Sequence, residues 1–164
     1  VYEEEFSVDW VRCVCQTPDM TEQEREGFLE EFQEREGTLV GFCVLGGIFS
    51  EGVDLTGESL IGAVIVGTGL PQIGSQREIL KEYYDKKNHC GFDYAYRYPG
   101  MNKVMQAAGR VIRTIRDRGI IALLDDRFLR PEYVALFPRE WGTYTVVNRY
   151  NVDQAVRAFW DGAV

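Results

Sequence analysis

Apolar and polar positions divide the chain into short strand-like runs separated by helix-like stretches. From Val8 to Cys15 they alternate, with Trp10, Arg12 and Val14 set against Val11, Cys13 and Cys15, the period of a strand. Gln16-Thr17-Pro18-Asp19 breaks that run. Thr21, followed three residues later by Glu24, predicts a capping box. The helix it opens is expected to run from Glu22 to Glu36, with Phe28, Leu29 and Phe32 as its apolar stripe and Gly37 as its stop. Thr38 to Leu45 is a nearly continuous apolar run, as expected of a parallel strand covered on both faces, and Leu60 to Val66 is a second. Gly67-Thr68-Gly69-Leu70-Pro71 predicts a turn before a helix from Gln76 to Lys87. Asn88 to Gly100 reads as irregular and aromatic. Met101 to Ile115 predicts a helix that buries Val104, Met105, Ala108, Val111, Ile112 and Ile115. Ile120 to Leu124 predicts a third buried strand. A short helix from Pro131 to Leu136, a strand from Trp141 to Val147 and a helix from Asn148 to Phe159 complete the pattern. Strands alternating with helices predict an α/β fold with a mostly parallel sheet flanked by helices, in one domain over 1–164.

Composition narrows the partners. The chain has 164 residues, 45% of them hydrophobic and 27% charged, an ordinary balance for a soluble globular domain. No apolar run is long enough to cross a bilayer, so no membrane partner is expected. The opening Val1-Tyr2-Glu3-Glu4-Glu5 is acidic and lacks an initiator Met, which suggests a fragment or processed product. The net charge of −8 is unevenly spread: 12 of the 26 acidic residues fall within the first 36, against 3 arginines. Arg97, Lys103, Arg110, Arg113, Arg116 and Arg118 form a basic run interrupted only by Asp117, so an anionic partner is not excluded. Cys13, Cys15, Cys43 and Cys90 lack C-x-x-C spacing. They read as reduced, mostly buried thiols of a cytoplasmic protein, and no metal is expected, although Cys13, Cys15, His89 and Cys90 would be a conceivable ligand set.

The sharpest chemical signal is Gln106-Ala107-Ala108-Gly109-Arg110-Val111-Ile112-Arg113. On a helix, Gln106, Arg110 and Arg113 share one face. Alanine and glycine beside that face leave room for a large ligand. Two guanidinium forks and a neutral amide suit a polyphosphate. A solvated arginine face is the plainer reading of two arginines alone. A second signal is Gly46-Gly47-Ile48-Phe49-Ser50-Glu51-Gly52-Val53-Asp54-Leu55, a glycine-rich loop at a strand end, where open α/β sheets place their ligands. It lacks the Gly-Lys-Ser/Thr of a Walker A loop. Gly67-Thr68-Gly69 begins like a dinucleotide fingerprint, but Gln72 stands at the third glycine and Pro71 interrupts the helix start. Phe92, Tyr94, Tyr96 and Tyr98 either stack on bases or pack the next helix, and packing is the preferred reading.

Together these stretches resemble the second motor domain of superfamily 2 DNA helicases, in particular the DinG/XPD group. Gly46 to Leu55 is similar to motif V, Gln106 to Arg113 to motif VI, and Asp117-Arg118-Gly119 with Leu124-Asp125-Asp126-Arg127-Phe128 to the segment after it. Gly67 to Pro71 stands where the family has its Gly-x-Gly-Leu-Pro turn, and Gln16 also fits. The resemblance implies a RecA-like, P-loop NTPase-type fold and an ATP-driven helicase moving 5′ to 3′ on single-stranded DNA, with DNA repair as its setting. It implies Arg113 as arginine finger, Arg110 as its partner and Gln106 at the γ-phosphate or attacking water. Gly52 and Asp54 would border the nucleotide, and Gly47, Ser50 and Glu51 would lie near the DNA. ATP and Mg²⁺ would be held mainly by a first lobe, since no Walker A lysine and no D-E-x-H box are present. A 4Fe-4S cluster, where the family has one, belongs to that missing part. The family's first strand of this lobe, ahead of Val8, is also absent, so the sheet is expected to be one strand short. The chain then reads as a C-terminal fragment, inactive alone. The alternatives are a catalytically silent RecA-like module binding nucleic acid or protein, and the motor lobe of a helicase–nuclease.

Overall fold

The computed structural model describes residues 11–33, 37–49 and 59–162. The chain forms two compact units, Val1–Asp125 and Asp126–Val164. The first carries the parallel strands. β1 (Val11–Cys15) is followed by α1 (Glu22–Glu31) and β2 (Thr38–Phe42), and β1 pairs with β2 in parallel, Val11 opposite Thr38 and Cys15 opposite Phe42. β3 (Gly62–Val66) leads through α2 (Ser75–Asn88) and α3 (Tyr98–Ala108) to β4 (Ile120–Leu124). β3 and β4 are also parallel, Gly62 opposite Ile120 and Val66 opposite Leu124. Each pair is a strand–helix–strand crossover, as the alternation predicts.

The capping box forms as expected. Thr21 Oγ1 accepts from the Glu24 backbone N–H at 3.3 Å, and Glu24 Oε2 accepts from the Thr21 N–H at 2.7 Å. The helix is shorter than expected. It caps at Phe32, whose N–H reaches back to Leu29 and Glu30, and Gly37 at φ +79° lies beyond the end. Phe28 is buried and stacks on Phe49, with centroids 4.2 Å apart. Val14, Leu29, Phe32 and Leu60 pack around them, so the sequence stripe does cover the β1–β2 pair. Gly41 is the seat of this packing: a Cβ there would fall 2.5 Å from Phe32 Cζ.

The aromatic stretch after α2 is not irregular. Asp93–Arg97 is a π-helical turn that runs directly into α3, so α3 starts at Tyr98 rather than Met101, with Pro99 in its first turn. Helical spacing sets the rings against one another. Tyr94 stacks on Tyr84 with centroids 3.9 Å apart and meets Tyr98 edge-on at 5.2 Å, while Phe92 lies 5.5 Å from Tyr96. Ala95 and Tyr96 are buried, the Tyr96 hydroxyl donates to Glu78, and Arg77 donates to the Ala95 carbonyl at 2.8 Å. These aromatics pack, as the preferred reading had it. Asp85 fixes the connection by accepting from Lys81 and from the Gly91 N–H, each at 2.8 Å.

The second unit is a chain of rings. Phe128 and Tyr133 are buried, and Phe137 meets Trp141 at 5.3 Å and Tyr144 at 5.8 Å. A 3-10 turn at Asp126–Leu129, the short α4 (Pro131–Val134) and a 3-10 turn at Arg139–Trp141 carry them. The expected strand from Trp141 to Val147 is absent. Residues 144–148 have no regular structure, and their exposed Tyr144, Val146 and Val147 follow Pro138 and Gly142, which favour turns over pairing. α5 (Val152–Trp160) closes the chain and starts later than Asn148, because Asn148 and Asn151 side chains accept backbone N–H groups in a turn ahead of it.

The Asp85 connection is tight enough to test. A Cβ at Gly91 would fall 2.1 Å from the Lys81 carbonyl oxygen and 2.4 Å from Asp85 Oδ1. Gly91→Ala is expected to cost about 1–3 kcal/mol, the usual range for overpacking. Chemical denaturation should show this as a lower midpoint at unchanged slope.

Candidate nucleotide-facing site at the strand ends

The carboxyl ends of β1, β2 and β3 converge with α3, and glycines make the approach possible. Gly46, at φ +76°, lies on the stem of Lys103 from α3, where an added Cβ would sit 2.7 Å from Lys103 Cδ. Gly69, at φ +65°, approaches the Gly100 carbonyl so closely that a Cβ would fall 2.8 Å from it, with Leu45 Cδ2 at 3.1 Å. From the other side, a Cβ on Gly100 would fall 2.6 Å from the Thr68 carbonyl oxygen. The turn after β3 and the first turns of α3 therefore touch backbone to backbone. Gln16, just past β1, accepts the Val44 N–H at 2.9 Å, and its amide lies beside Gly47. The glycine loop after β2 is thus held between Gln16 and Lys103.

Each site residue read from the sequence has a definite place or lies outside the described residues. Gly47 is half-buried at the loop. Ser50, Glu51, Gly52 and Asp54 lie outside the described residues. Gln106 is exposed on the last turn of α3. Arg110 is half-buried and lines a cleft of about 800 Å³ together with Ala107, Gln16 and Val44. Arg113 is exposed.

The three do not share a helix face. α3 ends at Ala108, so only Gln106 is on it. Arg110 and Val111 donate to Ala107 and Ala108, a tightened last turn, and Asp117 Oδ2 then accepts the N–H groups of Arg113 at 2.9 Å and Thr114 at 2.7 Å. Val111 is buried, and a Cβ on Gly119 would fall 2.4 Å from its Cγ1. Ile112 and Ile115 are exposed, against the expected buried stripe. The chain has to leave the helix here to enter β4. Residue spacing alone extends the helical period past that exit, which is why the expected helix to Ile115 is too long. Lys103, outside the motifs, and Asp117, read only as part of the segment after motif VI, carry the geometry. Lys103 faces a left-handed glycine, and Asp117 is the lone acid in a basic run.

The four cysteines are free, and among the described residues no three His, Cys, Asp or Glu stand together as a metal site. Cys43 is open to the cleft on one side yet crowded by its walls. That burial, and then the Cys15 thiol, push it up to about 11, so it is a protonated thiol at neutral pH. Among the described residues no helix is long and apolar enough to cross a membrane.

A family profile of the helicase C-terminal domain matches residues 3–144. The chain belongs to the helicase C-terminal domain family. This domain is 31% identical over 122 residues to a probable ATP-dependent helicase of Methanocaldococcus jannaschii, covering 69% of this chain and 18% of that one. It is 34% identical over 92 residues to the ATP-dependent DNA helicase chl-1 of Caenorhabditis elegans, covering 54% of this chain and 11% of the relative. A solved XPD helicase superposes with a TM-score of 0.62 at 22% identity, over 81% of this chain and 24% of that one. A solved apo XPD gives 0.61 at 21% identity, over 80% and 27%. The likeness shows the fold: short parallel strands flanked by helices, matching the RecA-like domain of XPD. The helicase C-terminal domain here spans less than a third of the length of each of these four proteins.

The turn carrying Arg113 depends on Asp117 staying ionised. Backbone donation from Arg113 and then Thr114 holds its carboxyl below the ordinary value of 3.8. A lowered folded pKa contributes stability that is present above the unfolded value and lost as pH falls through the folded one. The turn should therefore hold at neutral pH and loosen below pH 3.8. Asp117→Ala should free the Arg113 and Thr114 amides at pH 7, with exchange about tenfold faster, while the β4 amides keep their rates. NMR hydrogen exchange reads both sets in one sample.

Proposed function

We propose that this chain is the second RecA-like motor lobe of an ATP-dependent 5′-to-3′ DNA helicase, working against a first lobe of the same protein. The observation that supports this reading most is the junction of the Gly46–Gly47 loop with α3 at the carboxyl ends of parallel strands. There the start of the stretch that resembles motif V meets Lys103, one helical turn ahead of the stretch that resembles motif VI, in the region where such sheets take their ligands.

In this reading Arg113 is the arginine finger and Arg110 its partner. Phosphoryl transfer spreads charge over the equatorial oxygens of the moving group, and a guanidinium fork placed there stabilises it. The Asp117 turn ties down the backbone beneath the exposed Arg113, and in this reading Arg113 acts on a nucleotide held by the opposing lobe. Gln106, one turn before Arg110, holds the γ-phosphate or the attacking water. Gly52 and Asp54 border the nucleotide. Gly47, Ser50 and Glu51 border single-stranded DNA. Mg²⁺-ATP supplies the transferable phosphoryl group and is held mainly by the first lobe, because the chain has no Walker A lysine and no D-E-x-H box. DNA repair is the proposed setting.

The test is DNA-stimulated ATP hydrolysis by the full-length protein, wild type against Arg113→Ala, with a thermal melt as folding control. A rate loss of about 10²-fold or more in a folded variant is expected, within reach of the 10³–10⁵ that an arginine finger can contribute. An unchanged rate would make the arginine structural and favour a module that binds without turnover.

A further inference from the structure

Two side chains flank the glycine loop after β2, and each keeps unused donors there. Lys103 comes from α3. Its stem lies along Gly46, where an added Cβ would fall 2.7 Å from Cδ, 2.9 Å from Cε and 3.2 Å from Cγ. Gly46 is exposed and left-handed at φ +76°, so bare backbone lies under that stem. A lysine laid this way covers its methylenes and leaves its ammonium in solvent. Among the described residues that ammonium makes no ion pair and no hydrogen bond.

Gln16 stands on the other flank. Its Oε1 accepts the Val44 N–H at 2.9 Å, which fixes the way the amide points. The Nε2 end then lies beside Gly47, 3.2 Å from where a Cβ would be. Among the described residues the Nε2 N–H groups donate to nothing. The Gly47 N–H itself is taken by the Val44 carbonyl at 2.8 Å. Two bare glycines therefore run between an ammonium and an amide donor. A side chain at Gly46 would strike the lysine stem, and one at Gly47 would meet the Val44 carbonyl oxygen at 2.9 Å. Lysine is a point charge and the amide is neutral, so the pair suits a singly charged oxyanion and does not fix its orientation as an arginine fork would. A sequence-independent contact with a nucleic-acid backbone has that character.

We infer that Lys103 and Gln16 clamp one phosphodiester of single-stranded DNA over Gly46 and Gly47, an inference that rests on the helicase reading above. Lys103 holds the phosphate by charge, and Gln16 donates to it from Nε2. The lysine stem already lies in place on Gly46, so less rotamer freedom is lost when the ammonium takes its ligand. Spacing separates this phosphate from those of the nucleotide. Lys103 and Arg110 stand two helical turns apart, about 10 Å at the helical rise, more than one phosphate group spans. Gln106 is one turn beyond Lys103 on α3. A DNA phosphate and the residue read as facing the γ-phosphate thus share one helix.

The experiment measures binding of a fluorescein-labelled oligothymidylate to the full-length protein by anisotropy, without nucleotide, over about 0.05–0.3 M salt. Lys103→Met keeps the stem on Gly46 and removes the charge. Loss of one phosphate contact should make the plot of log affinity against log salt shallower by about 0.7 and weaken binding roughly fivefold near 0.15 M. Lys103→Arg should restore the slope. Gln16→Glu keeps the oxygen that Val44 uses and replaces the donor with a negative charge, so binding should weaken at least about tenfold. An unchanged slope in a Lys103→Met protein that melts like the wild type would overturn the proposal. So would weaker binding of ADP with the DNA slope intact, since the phosphate would then be the nucleotide's. If Lys103→Met lowers the melt, Gln16→Glu decides, and wild-type DNA affinity in that variant overturns the clamp. A wild-type protein that binds no single-stranded DNA would remove the helicase reading as well, whereas binding with an unchanged slope removes this site alone.

Discussion

Two glycines set the distance between the sheet and α3. Gly69 and Gly100 bring the turn after β3 against the first turns of α3 with no side chain between them, the would-be Cβ atoms lying 2.8 and 2.6 Å from backbone oxygens. Because α3 sits that low, Lys103 reaches Gly46, and the loop after β2 is fixed from one side while Gln16 fixes it from the other. Any side chain at Gly69 or Gly100 would lift the helix. Gln106, on its last turn, and Arg110, just past its end, would then move away from the strand ends.

The total charge hides a local basic run. The chain is acidic overall, but its glutamates cluster in the first 36 residues, while Arg97 to Arg118 follows α3 into β4. Some of these bases are structural: Arg97 pairs with Asp93 at 2.6 Å. Arg113 stands on a turn tied by Asp117 rather than on a helix, and a fixed backbone beneath an exposed arginine is what the proposed finger role would need.

Much of the fold was legible in the chain because the signals were local. The Thr21–Glu24 capping box, the apolar strands and the Gly-x-Gly turn each need only a few neighbouring residues to declare themselves. What failed depended on tertiary contacts. The aromatic stretch reads as irregular from its composition, whereas the π turn sets Tyr94 against Tyr84 of α2 and Tyr98, and Tyr96 against Phe92 and Glu78 of α2. The helix through motif VI looked continuous to Ile115 because the apolar period continues, but the burial of Val111 against Gly119 turns the chain early. Spacing set Gln106, Arg110 and Arg113 on one helix face, and the end of α3 at Ala108 separates them; Lys103 against Gly46 and the Asp117 turn come from sequence-distant or turn geometry that spacing does not encode.

The central claim is that the seat of α3 on the end of β3 positions the site, and Gly100→Ala in the full-length protein tests it most directly. The added methyl group meets the Thr68 carbonyl oxygen, so the account predicts a loss of about 1–3 kcal/mol in stability. It also predicts DNA-stimulated ATP hydrolysis falling at least about tenfold at a temperature where the variant is still folded. Wild-type turnover together with an unchanged melt would contradict the claim, because α3 would then be free to sit elsewhere without consequence for the site.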